Sequence, residues 1–112
     1  MSSPTQRSLK HLRDAGYKAW VTEYFNHHTR RRVDLFGAWD IAAVGNGEFL
    51  LVQTTSGSNV GARVKKIADN EYTGPLRDAG VRLEVHGWRQ VKVKCKNGNT
   101  VLRWKPRIID VS

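Results

Sequence analysis

Cysteine is almost absent from this sequence, since Cys95 is the only one among 112 residues. A single cysteine excludes an internal disulfide and a metal site built from cysteine ligands. Long apolar runs are absent too: none approaches the roughly 20 residues that a membrane-spanning helix needs. The residues that follow Met1 show no signal-peptide pattern. These absences predict a protein of the cytoplasm with no membrane partner.

Acidic residues are also scarce, with 10 Asp and Glu against 19 Lys and Arg and a formal net charge of +9. Such an excess of positive charge attracts polyanions and makes their binding depend on salt. A hydrophobic fraction of 39% and four Trp indicate a folded chain rather than a basic disordered tail. The length predicts a single domain over residues 1–112. Composition therefore favours a compact protein that binds nucleic acid.

The pattern of apolar residues predicts alternating helices and strands. Residues 5–15 read as a helix with Leu9 and Leu12 on one face, and Gly16 supplies the left-handed stop. The further elements, in chain order, are a strand at 17–25, two strands at 33–44 and 49–56 around the turn Gly45-Asn46-Gly47, a helix from Ser58 or Asn59 to about Asn70, a helical turn at 73–80, a strand at 81–85, and a hairpin at 91–96 and from Thr100 onward around Asn97-Gly98.

The two strands on either side of Gly45-Asn46-Gly47 carry polar residues that are candidates for binding a metal ion. Asp40 is an acid within an apolar run, and an unpaired buried carboxylate is costly, which favours a ligand role. Gln53 lies near the end of the second strand, where it either binds a cation or pairs with backbone groups. Two oxygen ligands on paired strands can hold a hard divalent cation and leave positions for water and phosphate. In a basic chain this predicts phosphodiester chemistry on nucleic acid.

Three segments of the sequence together carry a family resemblance. They are Asp34-Leu35-Phe36-Gly37 through Asp40-Ile41, then Leu51-Val52-Gln53-Thr54-Thr55-Ser56 with Asn59, Arg63, Lys65, Lys66 and Ile67, and finally Val85-His86-Gly87-Trp88-Arg89. With the order helix, three strands, helix, strand, they resemble the PD-(D/E)XK nuclease superfamily over roughly residues 9–89, and within it the small Holliday-junction-resolvase-like proteins of bacteriophages. The resemblance implies an α/β fold with a mixed central sheet, to which this chain adds a C-terminal β-hairpin.

The resemblance also assigns roles to individual residues. Asp40 matches the metal-binding aspartate of the superfamily, while Gln53 and Thr55 stand where its (D/E)XK triplet has an acid and a lysine. Gln53 can still offer a neutral carbonyl oxygen to Mg²⁺, but Thr55 cannot supply a cation. In the superfamily the lysine can move to the following helix, and the candidates there are Lys65, Lys66 and Arg63.

Two further acids are candidate replacements for the missing carboxylate. Asp34 is one of them, although it could instead pair with an arginine of the run Arg30-Arg31-Arg32. Glu23 is the other, although an acid at a strand end is more often simply solvated. The predicted catalytic set is therefore Asp40, Gln53, Asp34, Lys66 and Lys65, with Asp40 and Gln53 as metal ligands.

The predicted contacts with nucleic acid follow the basic clusters. Phosphate contacts are expected from Arg30, Arg31, Arg32, Arg63, Lys65 and Lys66. The neighbouring His27-His28 reads as a loop that either touches DNA or is simply exposed. Lys92, Lys94 and Lys96 share one strand face, where they either block edge pairing or make a second DNA contact. The four Trp and three Tyr are expected in the core, although Trp88 and Trp104 could stack on a base.

The resemblance implies a Mg²⁺-dependent endonuclease that is selective for branched DNA such as four-way junctions in DNA recombination, with Mn²⁺ able to replace Mg²⁺. It also implies a homodimer, because two opposed strands of a junction must be cut. If a bacteriophage encodes the chain, the expected compartment is the host cytoplasm. The alternative is a non-catalytic DNA-binding protein that has kept the nuclease fold and lost the metal site.

Overall fold

The computed structural model describes residues 3–112. Its helices are α1 (Pro4–Asp14), α2 (Val60–Ala68) and α3 (Thr73–Asp78), and its strands are β1 (Lys18–Val21), β2 (Tyr24–Asn26), β3 (Arg31–Val33), β4 (Ile41–Gly45), β5 (Glu48–Ser56), β6 (Arg82–Lys94) and β7 (Thr100–Asp110). A short 3-10 turn at Gly57–Asn59 leads into α2. Within the described part of the chain, no helix is long and apolar enough to cross a membrane.

A five-stranded mixed sheet forms the centre of the fold, with the strand order β1-β4-β5-β6-β7. Strands β5 and β6 run parallel, with Leu50 opposite Arg82 at one end and Ser56 opposite Trp88 at the other. The other three pairs in this sheet are antiparallel. The parallel pair requires a crossover, and α2 and α3 supply it. This confirms the predicted α/β class with a mixed central sheet.

Helices cover both faces of the sheet because alternate strand residues point to opposite sides. On one side Leu9 and Leu12 of α1 pack on Ile41, Ala43, Leu50 and Val52. On the other side Val60 and Ile67 of α2 pack with Trp39, Leu51, Leu83 and Val85. The apolar face predicted for the first helix is therefore confirmed.

Glycines set two features of this packing. Gly16 and Gly80 have φ of +96° and +77° and follow α1 and α3, so the predicted left-handed stop after the first helix is confirmed. Gly87 on β6 serves a different purpose: a Cβ there would lie 2.1 Å from Val60 Cγ2. Only glycine at this position lets α2 lie directly against the sheet.

The structure differs from the sequence-based prediction around the predicted first and second strands. The predicted strand at 17–25 is two strands, because β1 ends at Val21 and β2 pairs with β3 in a separate two-stranded hairpin. The predicted strand at 33–44 begins only at Ile41. Phe36 and Gly37 both have positive φ, and Leu35 N–H donates to Trp39 O across the turn that they form. Asp40 therefore directly precedes β4 and does not lie inside it.

The C-terminal half of the sheet also differs from prediction. The predicted strand at 81–85 and the first strand of the predicted hairpin are one continuous element, β6. It stays continuous because β7 pairs with it from Glu84, opposite Asp110, to its last residue, Lys94, opposite Thr100. The predicted Asn97-Gly98 turn is confirmed as part of the connection, with Gly98 at φ +86°.

The tryptophans are divided between core and surface. Trp39 and Trp88 are buried, as predicted. Trp20 is 76% exposed and Trp104 is 45% exposed, so the expectation that all four fill the core is wrong. The reason lies in the sheet: Trp20 is on the edge strand β1 and Trp104 on the other edge strand, β7.

Candidate metal centre and its basic rim

Three carboxylates converge at one end of the sheet. One oxygen from each of Glu23, Asp34 and Asp40 lies within 4.8 Å of the other two. Glu23 follows β1, Asp34 follows β3 and Asp40 precedes β4. Thr22 holds the segment that carries Glu23 against the segment that carries Asp40. Its N–H donates to Asp40 O at 2.8 Å, and its hydroxyl donates to Trp39 O at 2.7 Å.

Thr54 on β5 fixes the orientation of the Asp40 carboxylate. The backbone N–H of Thr54 donates to Asp40 Oδ2 at 2.8 Å, and its hydroxyl donates to the same oxygen at 3.1 Å. The Asp40 backbone N–H in turn donates to Val52 O. Asp40 is only 6% exposed. The side chain is therefore locked by its neighbours, as expected for a group that must hold a fixed position.

The pKa of Asp40 reflects this environment. Burial raises the pKa of the Asp40 carboxyl to about 7, because removal from water disfavours the charged form. The two hydrogen bonds from Thr54 lower it, while the negative charges of Asp34 and Glu23 raise it. Three carboxylates in so small a volume repel one another unless positive charge lies close by.

Gln53 supplies a fourth oxygen to the same site. It is 2% exposed, and its Oε1 has no hydrogen-bond partner among residues 3–112. Gln53 and the three carboxylates line one cleft of about 260 Å³. A buried acceptor without a partner costs roughly 1–3 kcal/mol, so this oxygen is suited to a ligand. The alternative was that the Gln53 side chain pairs with backbone groups at the strand end. It does not explain why Gln53 Oε1 has no hydrogen-bond partner in the described part of the chain.

The donor set fits a hard divalent cation. Mg²⁺ and Mn²⁺ prefer oxygen ligands and are typically bound by one or two carboxylates with water and substrate phosphate completing the shell. The cleft offers three carboxylates and one amide oxygen, and no sulfur or imidazole ligand lines it in the described part of the chain. The residues present therefore suit Mg²⁺ better than zinc.

The first turn of α1 adds two threonine contacts that sequence patterns did not indicate. Pro4 and Thr5 line the cleft. Thr5 Oγ1 lies 2.8 Å from Thr54 Oγ1 and 3.4 Å from Glu23 Oε1. Thr5 thus connects Thr54, which orients Asp40, with the Glu23 carboxylate. No local pattern could have found this link, because Thr5 and Thr54 are 49 residues apart.

Basic residues form the rim of the cleft. Arg32 and Arg63 line it directly, and Arg32 Nη1 lies 3.4 Å from Glu23 Oε1. A neighbouring cleft of about 660 Å³ is lined by Arg31, Arg32, Asp34 and Lys66 among others. Within the described residues, Arg30 and Lys65 line neither cleft. The structure thus brings Arg31, Arg32, Arg63 and Lys66 to the site and leaves Arg30 and Lys65 away from it.

The position of Asp34 separates two interpretations of that acid. The ion pair formed by the run at 30–32, within the described part of the chain, joins Arg32 to Glu23 and not to Asp34. Asp34 instead lines both clefts. Thr55 is buried, and α2 contributes Arg63 to the cleft that Gln53 also lines.

The histidine pair at 27 and 28 belongs to the exposed turn between β2 and β3. His27 packs edge-on against Phe25 at 5.2 Å between ring centroids, and the His28 N–H donates to Asn26 Oδ1. Neither side chain lines the cleft among the described residues. The expectation of an exposed loop is therefore compatible with their position.

A second polar cluster is buried beneath α1, outside the cleft. Trp88 Nε1 donates to Ser8 Oγ at 2.7 Å, Ser8 Oγ lies 2.9 Å from His86 Nδ1, and His86 Nε2 lies 3.0 Å from Glu84 Oε1. With a neutral imidazole, Ser8 donates to Nδ1 and Nε2–H donates to the glutamate. Ser8 and His86 are both fully buried. The cluster therefore connects α1 to β6.

Comparisons of this chain with protein-family models, with curated proteins and with solved structures find no match in any of the three. The resemblance to the PD-(D/E)XK superfamily therefore stays a prediction from short motifs and element order.

Proposed function

We propose that this protein is a Mg²⁺-dependent, structure-selective DNA endonuclease that cleaves branched DNA such as Holliday junctions. The observation that carries the proposal is the convergence of the Glu23, Asp34 and Asp40 carboxylates with the unpartnered Gln53 Oε1 in one cleft. Arg32 and Arg63 on its rim favour a phosphate-bearing substrate. The preference for branched DNA comes from the family resemblance alone.

The residues of the cleft divide the work between holding a cation and holding the substrate. Asp40, Gln53, Asp34 and Glu23 would hold the ion, and Mg²⁺ in such a site supplies Lewis-acid activation of the scissile phosphate and of a bound water. Arg63 and Arg32 bind oxygens of the phosphate and offset the charge that develops during attack. Arginine keeps its proton in proteins, so Arg63 contributes charge and orientation and does not act as a base.

Threonines keep this arrangement in place. Thr54 orients Asp40 through two hydrogen bonds, and Thr5 connects Thr54 to Glu23. Because both threonines are uncharged, they fix the carboxylates without adding negative charge to the site. Lys66 and Arg31, in the neighbouring cleft, bind the backbone phosphates on one side of the scissile bond.

The second candidate function is DNA binding without cleavage. It is favoured by Gln53 and Thr55, which replace an acid and a lysine of the superfamily triplet. In such a protein the rim would still bind DNA, and the cleft would bind Mg²⁺ poorly. Calorimetric titration with Mg²⁺ separates the two candidates, since only the first requires a specific site.

The deciding experiment is a cleavage assay on junction, forked, duplex and single-stranded DNA with Mg²⁺ or Mn²⁺. We expect junction cleavage by the native chain and a loss of several orders of magnitude in Asp40→Asn, because that change keeps the shape but removes an anionic ligand. DNA binding should persist in this variant.

Asp78→Asn is the matched control, because Asp78 is an exposed acid at the end of α3, away from the cleft. It should cleave at the native rate. If Asp40→Asn cleaves junctions at the native rate, Asp40 is not a ligand of the catalytic metal ion. Absence of both cleavage and Mg²⁺ binding in the native chain would leave the non-catalytic function as the better description.

A further inference from the structure

Beyond the sheet, β6 and β7 continue as a two-stranded ribbon, which we call the C-terminal arm and define as residues 89–107. Strand β6 pairs with β5 only as far as Trp88, opposite Ser56. From Arg89 to Lys94 it pairs with β7 alone. Six residues of strand reach about 20 Å. The radius of gyration is 15.3 Å, whereas a compact chain of this length is expected near 13 Å.

The arm holds most of the net charge of the protein. Its seven basic residues are Arg89, Lys92, Lys94, Lys96, Arg103, Lys105 and Arg107, and it contains no acidic residue. The remainder of the chain has 19 − 7 = 12 basic and 10 acidic residues. The net charge of +9 is therefore +7 on the arm and +2 on everything else.

The strand register places cations on both faces of the arm. Residues directly opposite in an antiparallel pair share a face. Arg89 lies opposite Lys105, Val91 lies opposite Arg103, and Arg107 follows on the same face opposite Gly87, which gives this face four cations. The other face has Lys92 opposite Leu102, with Lys94 beside them. A ribbon that lies in a groove of duplex DNA has phosphates on both sides, and this distribution of charge suits that position.

The arm leaves the sheet at the end where the cleft lies. Strands β5 and β6 are parallel, and Gln53 lies opposite Val85. Arg89 is four residues farther along β6 and Lys94 nine residues farther, which corresponds to about 13 Å and about 30 Å. One turn of duplex DNA is about 34 Å long. The arm thus extends from the cleft over roughly one helical turn.

We propose that the C-terminal arm binds the DNA duplex that flanks the cleavage point and supplies most of the electrostatic affinity of this protein. The inference rests on the proposed function only in taking DNA as the substrate. A two-stranded β-ribbon fits the major groove of B-form DNA, which is about 12 Å wide. The major groove of duplex RNA is deep and narrow, so the arm should discriminate against duplex RNA.

The competing explanation is protection of an edge strand. Lysines on an edge prevent pairing with other chains, and β7 is an edge strand of the sheet. Such protection needs one or a few charged side chains along the edge, and these need not all be of one sign. The arm has seven basic residues and no acidic residue, which is more positive charge than protection of an edge strand requires.

The experiment compares two double variants in EDTA, so that no cleavage occurs. Lys92→Gln/Lys94→Gln removes two charges from the arm. Arg13→Gln/Lys18→Gln removes two charges near the opposite edge, at the end of α1 and on β1. Fluorescence anisotropy measures the affinity of each for a short DNA duplex and for the matching RNA duplex over a range of salt concentrations.

In a plot of the logarithm of the binding constant against the logarithm of the salt concentration, the slope of the arm variant should be smaller in magnitude by about 1.8. Each of the two lost phosphate contacts contributes about 0.9 to that slope. Its affinity near 0.1 M salt should fall on the order of tenfold or more. The control variant should keep the native slope. Circular dichroism should show the same thermal transition in both variants and the native chain, which excludes unfolding as the cause.

Other outcomes overturn the inference. Equal losses in the two variants would mean that affinity follows overall charge and not the arm. An unchanged slope in the arm variant, or equal affinity for duplex RNA, would also refute it. If the native chain cuts junctions while the arm variant keeps its slope, only the arm inference fails. If the native chain binds no DNA at all, the proposed function fails with it.

Discussion

Gln53 is the one proposed ligand of the cleft that is not an acid. The resemblance proposed for this chain would place an acid at this position, whereas Glu23, Asp34 and Asp40 already bring three carboxylates within 4.8 Å of one another. A fourth carboxylate at a position that is 2% exposed would add repulsion and a desolvation cost. A neutral amide oxygen retains the ligand atom and avoids that cost. The cleft thus combines three carboxylates with one neutral amide oxygen.

Gln53→Glu tests this explanation at the level of one residue. Without metal the variant should be less stable than the native chain, by several kcal/mol, because a buried carboxylate joins three others. With saturating Mg²⁺ most of this loss should be recovered, because the fourth carboxylate gains a cation. Thermal unfolding with EDTA and with Mg²⁺ measures both effects, and Gln90→Glu on the exposed part of β6 is the control. A loss of stability that Mg²⁺ does not change would argue against a metal at Gln53.

At the scale of elements, α2 decides which cation reaches the cleft. Successive residues of a helix are about 100° apart, so residues three apart lie on neighbouring positions of one side. Arg63 and Lys66 have this relation and line adjoining clefts. Lys65 lies on another side and lines neither cleft among the described residues. The sequence offered all three as candidates, and the packing of Val60 and Ile67 against the sheet selects among them.

Arg63→Ala should therefore reduce turnover by about 10²–10³-fold, in the range known for the loss of one preorganised donor to a developing charge. Lys66→Ala should mainly weaken DNA binding. Lys65→Ala, one residue away, is the control and should have little effect on either quantity. Single-turnover cleavage rates and binding constants distinguish these results. Loss of turnover in Lys65→Ala with a native rate in Arg63→Ala would reverse the assignment.

The attachment of α1 to the sheet depends on the buried cluster around Ser8. Ser8→Ala removes the acceptor of Trp88 Nε1–H and the partner of His86 Nδ1. Each buried polar group left without a partner costs roughly 1–3 kcal/mol. We expect the free energy of unfolding to fall by about 2–4 kcal/mol, which urea denaturation can measure.

Trp88→Phe completes a double-mutant cycle for this cluster, because phenylalanine lacks the N–H donor. The double variant should lose less than the sum of the two single variants, since both remove the same hydrogen bond. A neutral effect of Ser8→Ala, within about 0.5 kcal/mol, would show that α1 is held by Leu9 and Leu12 alone.

At the scale of the whole molecule, the charge distribution restricts how two copies could associate. The C-terminal arm carries +7, so contact between two arms is opposed by repulsion. The opposite edge of the sheet offers an apolar surface, because Trp20, Val44 and Phe49 share one face and are exposed. The homodimer proposed from the family resemblance is therefore more compatible with the β1 edge than with the β7 edge.

Light scattering tests the dimer and its surface together. The native chain should give twice the mass of the 12.7 kDa protomer, and Trp20→Lys should give the protomer mass, because a charge in an apolar contact is costly. Lys18→Gln on the same strand is the control and should remain dimeric. A native chain that is monomeric both alone and on junction DNA would refute the homodimer.

Much of the local structure could be predicted from sequence. The helix at Pro4–Asp14 is set by the spacing of Leu9 and Leu12 and ends before Gly16, all within one short segment. The turn at Gly45-Asn46-Gly47 and the antiparallel pairing of β4 with β5 follow from equally local signals. The break at Phe36 and Gly37 was missed, because apolar residues on both sides of it gave the appearance of one strand.

The sequence by itself determined the type of most elements, the helix ends at glycine and the excess of positive charge, because each of these depends on residues close together in the chain. Only the tertiary structure decided which acids meet. Glu23, Asp34 and Asp40 are brought together by β1, β3 and β4, and Thr5 and Thr54 join them across 49 residues. The continuity of β6 was decided in the same way, by its pairing with β7. Such contacts depend on the packing of distant segments around a common core, and no local pattern encodes that packing.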